Sequence, residues 1–251
     1  MYLNDAFWSI IPGNEAKAYA ALGALAAQVE KEEPDTWMYL IHTPNLDPGV
    51  NTFPMPGPEQ VGFVEGYKDR EAFQRHHNSP ILKEFFAKNG AYFLNMYGPT
   101  VPWMMVQTLE MIDGFIRPGA DVMTAWQVEA RWVMKPGCRE QVKEALKGYV
   151  KAVYEEEPTT LMYTVSVADV SEQSMALPPS QVDALVYNSS WTNQQAFFDH
   201  GSGPVYQDFL KEHGHLFVQA GANSTTHPYM TTSVFKRFAG FFRPEAFIKL
   251  Y

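Results

Sequence analysis

Two histidines, His76 and His200, stand 124 residues apart in stretches that read almost alike: EGYKDREAFQRHHNSP over residues 65–80 and SSWTNQQAFFDHGSGP over 189–204. In each, a ring with a polar tip, Tyr67 or Trp191, comes first. An Ala-Phe pair follows (Ala72-Phe73, Ala196-Phe197), then the histidine, then Pro80 or Pro204. Phe and His three residues apart share one face of a helix, so each imidazole points where its phenylalanine points. Histidine changes charge near neutral pH and serves as a general base, and a nearby phenol O–H or indole N–H can support a developing oxyanion. The same pattern also describes a hydrogen-bonded core histidine near a helix C-terminus, where the helix dipole favours it.

The repetition extends far beyond these stretches. Residues 8–93 set against 132–217 without a gap give 20 identities in 86 columns, against about 6 % expected by chance. The chain is therefore read as a tandem duplication, with units at 1–120 and 121–251. Shared columns include Trp8/Trp132, Pro12-Gly13/Pro136-Gly137, Glu32-Glu33-Pro34/Glu156-Glu157-Pro158 and Met38-Tyr39/Met162-Tyr163. A shift of two residues restores the match at Gly-Phe-Ile-Arg-Pro (114–118) and Gly-Phe-Phe-Arg-Pro (240–244).

Each copy carries the same elements. Ala18, Leu22, Leu25 and Val29, like Val142, Leu146, Tyr149 and Val153, recur at helical spacing, and Pro34 or Pro158 ends the helix. TWMYLIH or TLMYTVSV then reads as a strand, and VGFVEGY or ALVYNSSW as another. Asp69, and Thr192 with Gln195, are expected to cap the short helix that follows. A second short helix runs from Pro80 or Pro204, and a last strand covers about Met104–Ile112 or Met230–Phe238. Strand, helix, strand, strand, helices, strand is a ferredoxin-like α+β unit whose sheet has one bare face. Two units in one chain can cover each other and close an eight-stranded, pseudo-dimeric α+β barrel.

Along the third strand, alternation sets Phe63, Glu65 and Tyr67 on one face, and Tyr187, Ser189 and Trp191 on the matching one. That face is expected either to fill the barrel or to line a pocket, with Phe73 and Phe197 beside it. The loops at 43–58 and 167–180 are long for hairpins and rich in proline, as covers over a pocket would be, so Phe53, Met55 and Leu177 become candidate ligand contacts. Arg117 and Arg243 should fix the barrel edge or pair with an acidic neighbour. Cys138, the single cysteine, reads as structural; it excludes an internal disulfide and any cysteine-rich metal site. His213 and His215 form a short pair without a third ligand, so no metal is expected.

Bulk composition narrows the partners. A formal charge of -9 without a basic cluster disfavours nucleic acid and anionic membranes. No run of 18 apolar residues suggests a membrane span, and a cytoplasmic location is expected. Aromatic residues make up 14 % of the chain, beside 12 Met, which suits either filled cores or a pocket for a flat apolar ligand.

At the repeated columns the chain resembles the antibiotic biosynthesis monooxygenase (ABM) family. The resemblance rests on Glu65, Tyr67, Ala72-Phe73, His76 and Ser79-Pro80 in the first copy. The second copy keeps Trp191, Ala196-Phe197, His200 and Pro204, with Ser189 and Gly203 replacing the glutamate and serine. It covers nearly all of both copies outside the two long loops. The resemblance implies a dimeric α+β barrel and, as activity, cofactor-independent oxygenation by O2 of a small aromatic, quinol, anthrone or polyketide-type substrate. His200 with Trp191, or His76 with Tyr67, would stand at the chemistry, and homo-oligomers are expected. The superfamily also contains haem proteins and binding modules without turnover; Phe85-Phe86 and Phe209-Leu210 occupy the columns where a haem-ligating histidine is expected in the haem-degrading relatives.

Overall fold

The computed structural model describes residues 1–50, 59–94, 104–177, 181–221 and 228–243. Phe53 and Met55 lie outside them. Strands β1 (Tyr2–Ser9), β2 (Thr36–Pro44), β3 (Gln60–Tyr67) and β4 (Met104–Ile116) alternate with helices α1 (Glu15–Glu32), α2 (Arg70–His77) and α3 (Pro80–Asn89). The second unit repeats this with β5 (Trp126–Val133), α4 (Arg139–Glu156), β6 (Thr160–Ala168), β7 (Ala184–Trp191), α5 (Gln194–Ser202), α6 (Pro204–His213) and β8 (Met230–Phe242). All ladders are antiparallel and the sheet closes in the order β1-β3-β2-β8-β5-β7-β6-β4. The expected pseudo-dimeric barrel is what forms.

The last strand of each unit is longer than its sequence suggested, because its far half pairs with the other unit. Leu109–Ile116 runs against Met162–Ala168, and Phe235–Phe242 against Met38–Pro44. The repeated Gly-Phe-x-Arg-Pro motif sits at these seams. Gly240 has φ +125°, and a methyl group there would collide with the Tyr39 carbonyl; one at Gly114 would lie 2.8 Å from the Tyr163 carbonyl. The motif's arginines bind backbone carbonyls of the other unit, not acidic side chains. Arg117 donates to Thr160 O, Tyr154 O and Glu157 O, while Arg243 donates to Thr36 O and Glu30 O. Both therefore neutralise the C-terminal end of the opposite unit's long helix, where unpaired carbonyls concentrate negative potential.

Helix starts follow local chemistry with one correction. Asp69 accepts from Ala72 N at 2.8 Å and Ser79 from Leu82 N at 3.3 Å. At α5 the cap is Asn193, accepting from Ala196 N at 2.9 Å, one residue beyond the expected Thr192. An amide side chain there replaces the capping box.

The two sheet faces are also assigned differently from one of the sequence-based alternatives. Phe63, Glu65 and Tyr67, like Tyr187, Ser189 and Trp191, face the helices and do not fill the barrel; Phe63 packs with Trp8, Leu22 and Leu25. The lumen takes the opposite set, Leu3, Met38, Leu40, Val64, Leu109, Met162 and Val186. Next to these apolar residues lies a charged cluster. Glu129 accepts from Arg131 Nε at 2.5 Å, Asp5 stands 3.6 Å from Arg131 Nη2, and Asn188 donates to Asp5 at 3.2 Å.

Two buried carboxylates share one guanidinium, so one of them tends to keep its proton. Asp5, the farther from Arg131, is pushed up from 3.8 to about 8 by burial and then by the charge of Glu129. A carboxyl raised in the fold binds a proton more tightly folded than unfolded. Its contribution to stability therefore falls as pH climbs from about 4 to about 8 and is level above that. Asp5→Asn imitates the protonated acid and should flatten this fall, gaining most over wild type near pH 8. Thermal unfolding at pH 5 and pH 8 tests it; parallel losses in the two proteins would refute the assignment.

Candidate active site

In the first unit, a cavity of about 210 Å³ lies between the sheet and its helices. This is below the roughly 300–1,000 Å³ of pockets for drug-sized ligands, so it suits a compact molecule. β1 contributes Asn4, Ala6 and Trp8 from alternate positions, β2 Tyr39, β3 Glu65 and β4 Val106. Helices α2 and α3 close it with Phe73, His76, His77, Leu82 and Phe86. The wall thus combines four aromatic rings and three aliphatic side chains, with two imidazoles, a carboxyl and an amide set into it.

His76 is 4 % exposed. Its Nδ1 lies 2.6 Å from Glu33 Oε2, and Glu33 also accepts from Thr36 Oγ1 at 3.1 Å. A carboxylate at Nδ1 places the proton on that nitrogen and makes Nε2 the acceptor, which has no hydrogen-bond partner among the described residues. Arg243, bonded to Thr36 O, holds the turn that carries Glu33. Tyr39 and Tyr67 flank the ring at 5.4 and 5.5 Å. Glu65 accepts from Asn4 Nδ2 at 2.6 Å and Tyr67 Oη at 2.8 Å, both on Oε2. Burial raises the Glu65 carboxyl above its ordinary value, against the opposing pull of His76 and these two donors. Burial likewise holds the Tyr39 and Tyr67 phenols well above 10.

The second unit repeats the dyad and crowds the space beside it. His200 Nδ1 lies 2.7 Å from Glu157 Oε2, which accepts from Thr160 Oγ1. Here, however, Nε2 is engaged by Tyr149 Oη at 3.0 Å, and Tyr163 Oη donates to Tyr149 Oη at 3.4 Å. The Tyr206 ring stands 5.4 Å from His200, and Tyr187 stands 5.0 Å from Trp132. Tyr149, Tyr187 and Tyr206 occupy the columns of Leu25, Phe63 and Leu82 in the first unit. Trp191 donates Nε1 to Ser189 Oγ at 3.0 Å, and Ser189 donates to Val128 O. A groove of about 200 Å³ reaches His200 from outside, along Glu157, Ala196 and Pro204.

Of the residues singled out from sequence, His76, Glu65 and Phe73 share the first-unit cavity wall. Tyr67 buttresses Glu65 and His76 from behind, and Phe63 lies under Trp8 at 4.5 Å. His200, Trp191 and Tyr187 come together in the second unit, with Phe197 at 5.8 Å from Trp191. Leu177 does not reach the cavity wall: its backbone pairs with Val106 and its side chain is exposed. Glu33 and Glu157 escaped functional assignment, although each precedes its histidine by 43 residues and stands at the centre of a conspicuous repeated Glu-Glu-Pro. Asn4, Trp8 and Tyr39 were missed as well; only the duplication of Trp8 and Tyr39 marked them.

Removing His200 should leave Tyr149 Oη and Glu157 without their buried partner. His200→Ala is expected to cost about 1–3 kcal/mol, a fall of roughly 2–4 °C in Tm for each kcal/mol. Thermal unfolding beside Tyr149→Phe, expected to cost less, checks this; an unchanged Tm in both would mean the network contributes nothing.

The sequence profile of the family described as Antibiotic biosynthesis monooxygenase matches residues 127–212. No curated protein sequence matches the chain. Among solved structures, a candidate monooxygenase of Fusobacterium nucleatum superposes with a TM-score of 0.69 at 12 % identity, covering 94 % of this chain and 91 % of its own. One from Lactobacillus acidophilus gives 0.67 at 10 % identity, covering 94 % and 93 %. An anthrone oxidase-like protein gives 0.55 at 10 %, covering 93 % and 90 %. At such identities these superpositions establish the fold alone. Residues 127–212 thus match that family's profile, within a two-unit barrel that shares its fold with these proteins.

Proposed function

We propose that the chain is a cofactor-independent monooxygenase acting on a small aromatic substrate, a quinol, an anthrone or a related polyketide-type compound, and that the reaction takes place in the first-unit cavity. The observation that carries this reading is the His76–Glu33 dyad in an aromatic cavity, with the imidazole Nε2 free of the tyrosine that engages its counterpart in the second unit. Oxygen reacts slowly with closed-shell molecules, and most oxygenases recruit a cofactor for that step. An activated methylene or phenol, once deprotonated, is electron-rich enough to reduce oxygen itself.

The protein's part is then the proton transfers. His76 Nε2 removes the substrate proton, and Glu33 stabilises the resulting imidazolium. The carboxyl of Glu65, favoured in its neutral form by burial, donates to the developing oxyanion. The substrate anion delivers electrons to O2 and forms a carbon–oxygen bond. The peroxide oxygen takes the proton back, and loss of water breaks the O–O bond and leaves a carbonyl. One oxygen atom of O2 ends in the product and the other in water, and CH2 becomes C=O as O2 accepts four electrons. The apolar wall of Trp8, Phe73 and Phe86 keeps water from the anion.

An oxygen electrode with anthrone and a dihydroquinone tests the proposal, anthrone coming first because of the fold shared with an anthrone oxidase-like protein. Oxygen uptake should occur with one oxygen atom incorporated. His76→Ala should lower it about 100-fold or more, whereas His200→Ala should retain most of it. Equal activity in His76→Ala would remove the base from the scheme, and a folded chain inert towards the panel would favour a binding module without turnover.

A further inference from the structure

The loop after β6 crosses from the second unit onto the first. Asp169 N donates to Thr108 O, Thr108 Oγ1 meets Ser174 Oγ at 2.9 Å, and Val106 and Leu177 exchange two backbone bonds of 2.8 Å. Met175 packs against the buried cluster of Tyr2, Tyr67, Ala72, Phe73 and Val106. Two of these, Phe73 and Val106, are cavity wall. The loop is held by a buried latch. Asp169 accepts from Tyr2 Oη at 2.6 Å and from Arg70 Nη2 at 3.0 Å, and the guanidinium lies 5.4 Å over the Tyr2 ring.

The duplication supplies an internal control. The corresponding loop of the first unit makes the same turn over the second: Asn45 N donates to Val234 O and Asn45 Oδ1 accepts from Asp47 N, as Asp169 Oδ1 accepts from Ser171 N. Yet the three latch columns there hold Trp126, Gln194 and Asn45, and Trp126 Nε1 has no partner among the described residues. A charge pair and a phenol hold the loop over the cavity whose histidine Nε2 meets no tyrosine hydroxyl among the described residues. Its counterpart, over the tyrosine-crowded unit, has no phenol or guanidinium at those columns, and its charge pair, Asp47 with Lys236 Nζ at 2.6 Å, is exposed.

We propose that residues 169–177 of the second unit back the end wall of the first-unit cavity, which Phe73 and Val106 form, with Asp169 as positioning residue and Met175 as the residue that, through those two side chains, limits substrate length. This rests on the cavity being the substrate site. The loop backs Phe73 and Val106, so its seating decides whether those side chains can yield to a longer ring system. Fusion of two units then has a consequence beyond closing the barrel: the unit with the engaged histidine shapes the site of the other.

The test has an arm that needs no ligand and an arm that does. In Asp169→Asn, amide hydrogen exchange at Val106 and Leu177 should quicken about tenfold or more, because a charged hydrogen bond is lost from the latch; unchanged exchange overturns the latch. Under anaerobic conditions, tryptophan fluorescence then reports binding of two-ring 1-naphthol and three-ring anthrone. Met175→Ala should shift the affinity ratio about tenfold towards anthrone. The double variant Thr108→Cys/Ser174→Cys, whose hydroxyl positions are close enough to be bridged, should admit anthrone about tenfold more slowly when oxidised, with recovery on reduction. An unmoved ratio together with equal rates in both redox states overturns the end wall. Failure of both probes to bind any form, with exchange still responding to Asp169→Asn, overturns the cavity reading and leaves the latch standing.

Discussion

Each unit's sheet has two edge strands, and everything else depends on how those edges are satisfied. An unpaired edge exposes a row of N–H and C=O groups and invites aggregation. Here β2 takes β8 and β4 takes β6, so a closed ring leaves no edge. Closure also settles where a site can lie. The sheet face turned inward is sealed by the opposite unit, and the cavity forms on the outward face, under the helices. The seams hold the His–Glu dyads in place as well. Arg243, leaving β8, anchors the turn bearing Glu33, and Arg117, leaving β4, binds Glu157 O. Each His–Glu dyad is therefore set by an arginine from the other unit.

Much of this architecture was legible in the sequence because it is written by local rules applied twice. Helical spacing at Ala18, Leu22, Leu25 and Val29, proline at 34 and 158, and the 124-residue offset give the elements and their order. Assignment of the faces was harder. Gln127, Glu129 and Arg131 alternate with apolar neighbours as solvent-facing residues of a half-buried strand do, yet with Asp5 they point into the lumen, where ion pairing and a retained proton offset the burial of the charged groups. Alternation tells which residues share a face. It says nothing of which face the partner unit will cover.

The site was half legible for a related reason. His76 with Phe73, and His200 with Phe197, are helix neighbours, and Glu65 with Tyr67 are strand neighbours, so short-range geometry places them together. The partnership of Glu33 with His76 spans 43 residues and needs the tertiary fold to exist. Whether a cavity remains beside the imidazole is more remote still, since it depends on side-chain volume at columns 25, 63 and 82 of the first unit and their counterparts. With Leu, Phe and Leu there, His76 Nε2 has no tyrosine hydrogen bond among the described residues; Tyr149, Tyr187 and Tyr206 crowd the other unit.

That difference bears on what a family signature means. The profile match falls on residues 127–212, the unit whose histidine is already engaged. The columns that carry the resemblance, Trp191, Ala196-Phe197, His200 and Pro204, are those that seat a helix on a strand and orient a dyad. They are under the same packing constraint whether or not a ligand is ever bound. The residues that empty or fill the space lie elsewhere, on the long helix, the third strand and the last short helix, and a hydroxyl or a ring gained there barely disturbs the pattern. The profile match can thus fall on one copy and the open cavity on the other, although the repeated motif is written in both.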